Sequence, residues 1–252
     1  KPRSRKEPSI VEFWRSDPIL FEHALDHQLA PILNHYEEII IDISVMSKLM
    51  IMVLIWYLRS YERKVRIVYT EPQEYAPSRQ EYEQQRASYG KPLTLPSYGV
   101  RDVVRTPQLS SVVMQRNPAL VVAFTSFNEQ LIRALLSTIN PSRLLLINGR
   151  PPHLVWREKA TQEIHQTVAM EYRMDNPCDP GTGLLTRTSS TLFYAETFEV
   201  LANIYRENCY LYRIVIAPTG SKMQAIGCAL FKICCPDIHI EYPTPESYFT
   251  VG

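Results

Sequence analysis

The sequence predicts an α/β fold: a Rossmann-like, doubly wound, mostly parallel sheet of about six strands, with helices on both faces and an insertion in the middle. Two observations predict it. Runs such as "EIIIDI" (38–43) and "ALVVAF" (119–124) have the continuous apolar, β-branched character of strands covered on both faces. Between such runs lie longer segments with helical patterning, and that alternation is the signature of βαβ units. A chain of 252 residues, 45% hydrophobic, is long enough to bury one large core.

Residues 1–36 read as a basic tip (Lys1, Arg3, Arg5, Lys6) and a short helix, capped by Ser16 or Asp17, with Pro18 in its first turn. Residues 37–252 carry the Rossmann-like domain. Its first strand, 38–43, leads into a helix over 45–61 so apolar all round that the sheet or a second copy of the chain must cover it. A second strand is expected at 65–69. The polar, tyrosine-containing stretch 81–118 reads as an insertion or extended hairpin with a strand near 101–105. Strands at 119–124, 143–147, 211–217 and 238–242 then alternate with helices at 128–138, 151–170, 192–208 and 221–234.

A net charge of +1 supplies no global field for nucleic acid or an acidic membrane, so any anion site must be local. The longest apolar run, Leu49 to Leu58, is about half of what crosses a bilayer, and no membrane partner is expected. The five cysteines show no C-x-x-C spacing, which points to a reducing, cytoplasmic compartment. The chain opens on Lys1, and a piece of something longer is expected.

Parallel sheets bind ligands beyond the carboxyl ends of their strands, near the switch in strand order. Small polar residues and cations follow the predicted strands in succession: Asp42, Ser44, Ser47 and Lys48; Thr125 and Ser126; Asn148 and Arg150; Thr219, Gly220, Ser221 and Lys222. Helix caps alone would place hydroxyls there. A lysine in the first turn of a helix opposes the macrodipole, however, and calls for a carboxylate or a bound anion. Asp42 could serve Lys48, but no carboxylate lies close to Lys222 in sequence. "APTGSKM" lacks the spaced glycine and the hydroxyl residue after lysine that a P-loop needs, and "SVMSK" lacks the glycines of a dinucleotide turn. No cofactor is expected from either.

"DISVMSK", Asp42 to Lys48, and "TGSKM", Thr219 to Met223, resemble the two turns of the CRISPR-associated Rossmann-fold (CARF-like) sensor domains. The late turn has one glycine where that family often has two. The resemblance spans roughly residues 36–243 and implies a cytoplasmic sensor in prokaryotic antiviral defence. It further implies a nucleotide ligand such as a cyclic oligonucleotide second messenger, a homodimer, and an effector outside these residues. In that reading the twelve residues named above form the ligand site. Two alternatives stand beside it: a phosphodiesterase or nuclease with catalytic residues unassigned, and an interaction scaffold whose strand-end clusters are only caps.

Four further constellations carry less. His23 and His27 share a helix face without a third metal ligand. Cys178 lies in a loop with no histidine placed beside it, and Asp42 with Glu71 would be a sparse metal site. Tyr75, Tyr82, Tyr89 and Tyr98 could stack on a base or pack their own loop.

Overall fold

The computed structural model describes residues 10–14, 17–33, 35–92 and 95–248. Two short helices come first, α1 (Pro18–Gln28) and α2 (Ala30–Leu33), with Asp17 capping α1; Ser16 lies outside the described residues. The strand β1 (Glu38–Asp42), the helix α3 (Lys48–Leu58) and the strand β2 (Lys64–Val68) follow, then α4 (Arg79–Tyr89), β3 (Ser97–Tyr98) and β4 (Asp102–Arg105). The rest alternates: β5 (Ala119–Phe124), α5 (Gln130–Ile139), β6 (Arg143–Arg150), α6 (Trp156–Ile164), α7 (Gln166–Glu171), β7 (Thr188–Ser190), α8 (Tyr194–Asn208), β8 (Arg213–Ala217), α9 (Lys222–Cys234), β9 (His239–Thr244) and β10 (Ser247–Tyr248).

The main sheet has six strands in the order β4-β9-β8-β5-β6-β7. All its neighbours are parallel except β4, which runs antiparallel along β9 at the edge. The chain starts this parallel sheet at β5, builds outward through β6 and β7, and returns along α8 to the other side of β5. Strand order therefore reverses between β5 and β8, and a crevice opens beyond their carboxyl ends.

Period-two alternation divides the core. Leu120, Val122 and Phe124 of β5 face α3, α8 and α9, whereas Val121 and Ala123 face Ile132 and Leu135 of α5 and Val168 of α7. Helices thus cover both faces of the sheet, and the Rossmann-like reading of the sequence holds.

Its first two strands are placed differently from expectation. β1 and β2 pair in parallel only with each other, forming a separate two-stranded ladder. Ile39, Ile41 and Ile67 pack into the core, but Ile40 is 62% exposed, so "EIIIDI" is covered on one face and not on both. The covered face of the ladder meets α3, and α3 itself, expected to be covered by the sheet or by a second copy, packs between α1 and α9 and buries Leu49, Ile51, Met52 and Val53. Two strands join the main sheet in their place. β7, "TSS", contains no apolar residue and is fixed by pairing with Asn148–Arg150 of β6; β4 pairs with β9. Residues 81–118 hold most of α4 together with β3 and β4, and β3 pairs antiparallel with β10.

Candidate functional site

The crevice at the strand-order reversal is a cleft of about 270 Å³. Its floor is the carboxyl edge of the sheet: Thr125 and Ser126 after β5, Gly149 in β6, and Thr219, Gly220 and Ser221 after β8. One wall is the start of α6 with Arg157. Against Arg157 lies Tyr75, which with Tyr69 and Glu71 comes from the loop after β2, and Tyr242 and Tyr248 add to the lining.

Local chemistry sets the floor. Thr219, 1% exposed, accepts the Phe124 N–H through Oγ1 at 3.2 Å and donates the same hydroxyl to the Phe124 carbonyl, joining β5 and β8 just past their ladder. Ser221 is the N-cap of α9 in a complete capping box. Its Oγ accepts from Gln224 N at 3.1 Å and donates to Thr191 O at 2.7 Å, while Gln224 Oε1 accepts from Ser221 N at 2.8 Å. Gly220 is required by close approach: a Cβ there would lie 2.0 Å from Gln224 Oε1 and 3.0 Å from the Phe124 Cβ.

The two predicted lysines meet in a reciprocal arrangement. Lys48 Nζ donates to the carbonyls of Thr219 (2.9 Å) and Gly220 (2.7 Å), and Lys222 Nζ donates to those of Ile43 (3.1 Å) and Ser44. Each strand-to-helix turn is held by the lysine of the other. Burial lowers the Lys48 pKa to about 8; Cys228 opposes the shift and the Lys222 charge adds to it. Burial also lowers the Lys222 pKa, partly offset by the Asp42 charge. The carboxylate partner expected for Lys48 thus stands nearer to Lys222. The compensation that Lys222 calls for comes largely from carbonyls 178 and 179 residues away in sequence.

Six of the twelve sequence-derived residues line the cleft: Lys48, Thr125, Ser126, Thr219, Gly220 and Ser221. The other six, Asp42, Ser44, Ser47, Asn148, Arg150 and Lys222, lie outside its lining. Asp42 Oδ1 accepts from Ser44 N (2.9 Å) and Ser44 Oγ (2.5 Å), which holds its pKa below the usual range, and Ser44 Oγ accepts from Thr70 N. Ser47 caps α3. Asn148 and Arg150 leave the crevice because β6 runs three residues further than expected, drawn on by β7. Asn148 is fully buried, accepting from Thr125 and Thr161, and Arg150 pairs with Glu196 of α8 at 2.7 Å.

Several wall residues carried no motif. Arg157 follows Trp156 in an ordinary helical segment, yet its guanidinium donates to the carbonyls of Pro77 (3.0 Å) and Ala76 (3.3 Å) and stacks over Phe127 at 4.0 Å. Burial lowers its pKa to about 10. Tyr75, one of the four tyrosines singled out, sits under this cation; its hydroxyl contacts that of Tyr69 and donates to the Glu71 carboxylate. Tyr82 instead packs in a small cluster with Phe127 and Trp156, and Tyr89 is exposed.

Among the described residues, no group of three or more His, Cys, Asp or Glu side chains is arranged to hold a metal. His23, His27 and Cys178 are exposed. No helix of the described residues is long and apolar enough to cross a membrane. No protein-family model matches the chain, and no curated protein matches it.

Proposed function

We propose that this chain is a ligand-sensing domain whose cleft takes a nucleotide, with phosphate toward Lys48 and Arg157 and the base against the tyrosine wall. One observation carries the reading. At the place where an open α/β sheet binds ligands, two cations without a carboxylate partner among the described residues share a cleft with Tyr69, Tyr75 and Tyr242. Aromatic faces stack bases and cations complement phosphate. A cyclic oligonucleotide is the ligand that the resemblance of the two turns suggests. The second copy and the separate effector that go with it, and a role in prokaryotic defence, rest on that resemblance alone.

A titration of the purified chain by calorimetry with linear and cyclic nucleotides tests the proposal, and micromolar binding of at least one is expected. The scaffold reading has one observation in its favour: the hydroxyls of Thr125, Ser126, Thr219 and Ser221 are all engaged in internal hydrogen bonds. Absence of binding to the whole series at millimolar concentration would leave that reading in place of ours.

A further inference from the structure

We infer that Arg157 is the oxyanion-recognising residue of the cleft, taking a phosphate or carboxylate group of the ligand along the edge of its guanidinium. The inference rests on the cleft being a ligand site and adds which group selects the ligand and by what chemistry.

The first argument is charge. Arg157 donates to Ala76 O and Pro77 O, and no carboxylate stands within ion-pair distance of it among the described residues. Carbonyls satisfy N–H groups but carry only partial charge, so the guanidinium remains an uncompensated cation in a half-buried position. Glu71, the one carboxylate on the cleft lining, accepts the Tyr75 hydroxyl at 3.2 Å. Lys48 adds a second cation whose hydrogen bonds also go to carbonyls. The lining thus carries an excess of positive charge, which an anion would neutralise.

The second argument is geometry. The guanidinium carbon lies 4.0 Å from the Phe127 ring centroid, 5.2 Å from that of Trp156 and 5.3 Å from that of Tyr75. These rings and the two carbonyls hold the group in one orientation before any ligand arrives. A guanidinium has five N–H donors in a planar fork, and two carbonyls do not exhaust them. What is left are three N–H groups, on Nε, Nη1 and Nη2, of a side chain that lines the cleft, the kind of donor set that recognises a planar or tetrahedral oxyanion. A role confined to tethering the 76–77 loop would need donors but no permanent charge.

The experiment compares adenosine, AMP, inorganic phosphate and acetate by calorimetry on the wild-type chain, Arg157→Lys and Arg157→Gln, with urea midpoints reporting folding. AMP is expected to bind at least about tenfold more tightly than adenosine. Its affinity should fall about 10- to 100-fold in Arg157→Gln and by a smaller factor in Arg157→Lys, which keeps the charge but not the fork. Binding of phosphate or acetate that is lost in Arg157→Gln identifies the oxyanion and supports the inference. Equal affinities for adenosine and AMP, or an AMP affinity unchanged in Arg157→Gln, would overturn it while leaving the cleft a nucleotide site. Arg157-dependent binding of phosphate with no gain from the nucleoside would uphold the inference and end the nucleotide reading. Should Arg157→Gln not fold, the adenosine–AMP comparison and Arg157→Lys still decide. If no probe binds, both fail.

Discussion

Replacing Gly220 with alanine tests whether the turn after β8 is built as described. The new Cβ would fall 2.0 Å from Gln224 Oε1 and 3.1 Å from its Cδ, so the amide must leave. Gln224 has nowhere inexpensive to go: it is 1% exposed, its Oε1 caps Ser221 N, and its Nε2 donates to Ser189 Oγ at 2.9 Å. Loss of the cap costs about 1 kcal/mol. Stranding the buried Gln224 and Ser189 groups adds roughly 1–3 kcal/mol. Reduced freedom of the unfolded chain returns about 0.4–1 kcal/mol. The net destabilisation is about 1–3.5 kcal/mol, or a melting temperature lower by roughly 2–14 °C at this chain length. Urea denaturation of the wild type, Gly220→Ala, Gln224→Ala and the double variant measures it. Because the severe contact needs both side chains and only the 3.0 Å approach to the Phe124 Cβ remains without Gln224, the double variant should be little less stable than Gln224→Ala, giving a strongly non-additive cycle. A Gly220→Ala protein within about 0.5 kcal/mol of wild type, or additive single effects, would refute the reasoning.

Gly227→Ala should be at least as damaging, because its Cβ would lie 2.7 Å from the Thr197 Cβ and 2.8 Å from the Tyr194 carbonyl, where α8 and α9 approach backbone to side chain; a destabilisation of about 2–4 kcal/mol in the same assay is expected. His165 and His239 both have Nε2 buried without a hydrogen-bond partner among the described residues, and burial lowers each pKa to about 4. The folded state stays neutral at these sites while the unfolded chain takes up protons below about 6.5, so stability is complete above that pH and falls as pH drops toward 4. Urea midpoints at pH 7 and pH 5 should show the loss, and His165→Gln should reduce it.

Much of the fold was legible because its central strands are unmistakable. β5, β6 and β8 are apolar runs flanked by helical patterns, and burial on both faces of a central strand leaves that imprint in composition alone. Pairing leaves no such imprint. Nothing in "EIIIDI" or "VRIVY" announces that they partner only each other, and "TSS" becomes a strand solely because β6 offers it an edge. α4 carries a different kind of signal: apart from the buried Tyr82 it is almost wholly polar, so it shows no apolar stripe, and its plainest mark is the capping box of Ser78 and Glu81. At the site, residue type and strand position together located the floor of the cleft. The roles of those residues depended on distant partners. Thr219 meets Phe124 across 95 residues and Lys48 meets Thr219 across 171, separations that no local pattern encodes. Arg157 is the sharpest case, since its rings and carbonyls come from three separate segments of chain.

The lysine exchange between the two turns also sets the order in which the protein can be completed. β1, α3 and β2 precede the main sheet in the chain, yet a two-stranded ladder is too small to persist alone, and α3 is apolar on every side. The acceptors of Lys48 and the helix that covers α3 arrive about 170 residues later, with Thr219, Gly220 and α9. Residues 48–58 must therefore wait, exposed or held by other apolar surface, until nearly the whole chain is present. A product ending before Lys222 retains β1, α3 and β2 with α1 but without α9, leaves one side of α3 uncovered, and is expected to aggregate where the full chain folds.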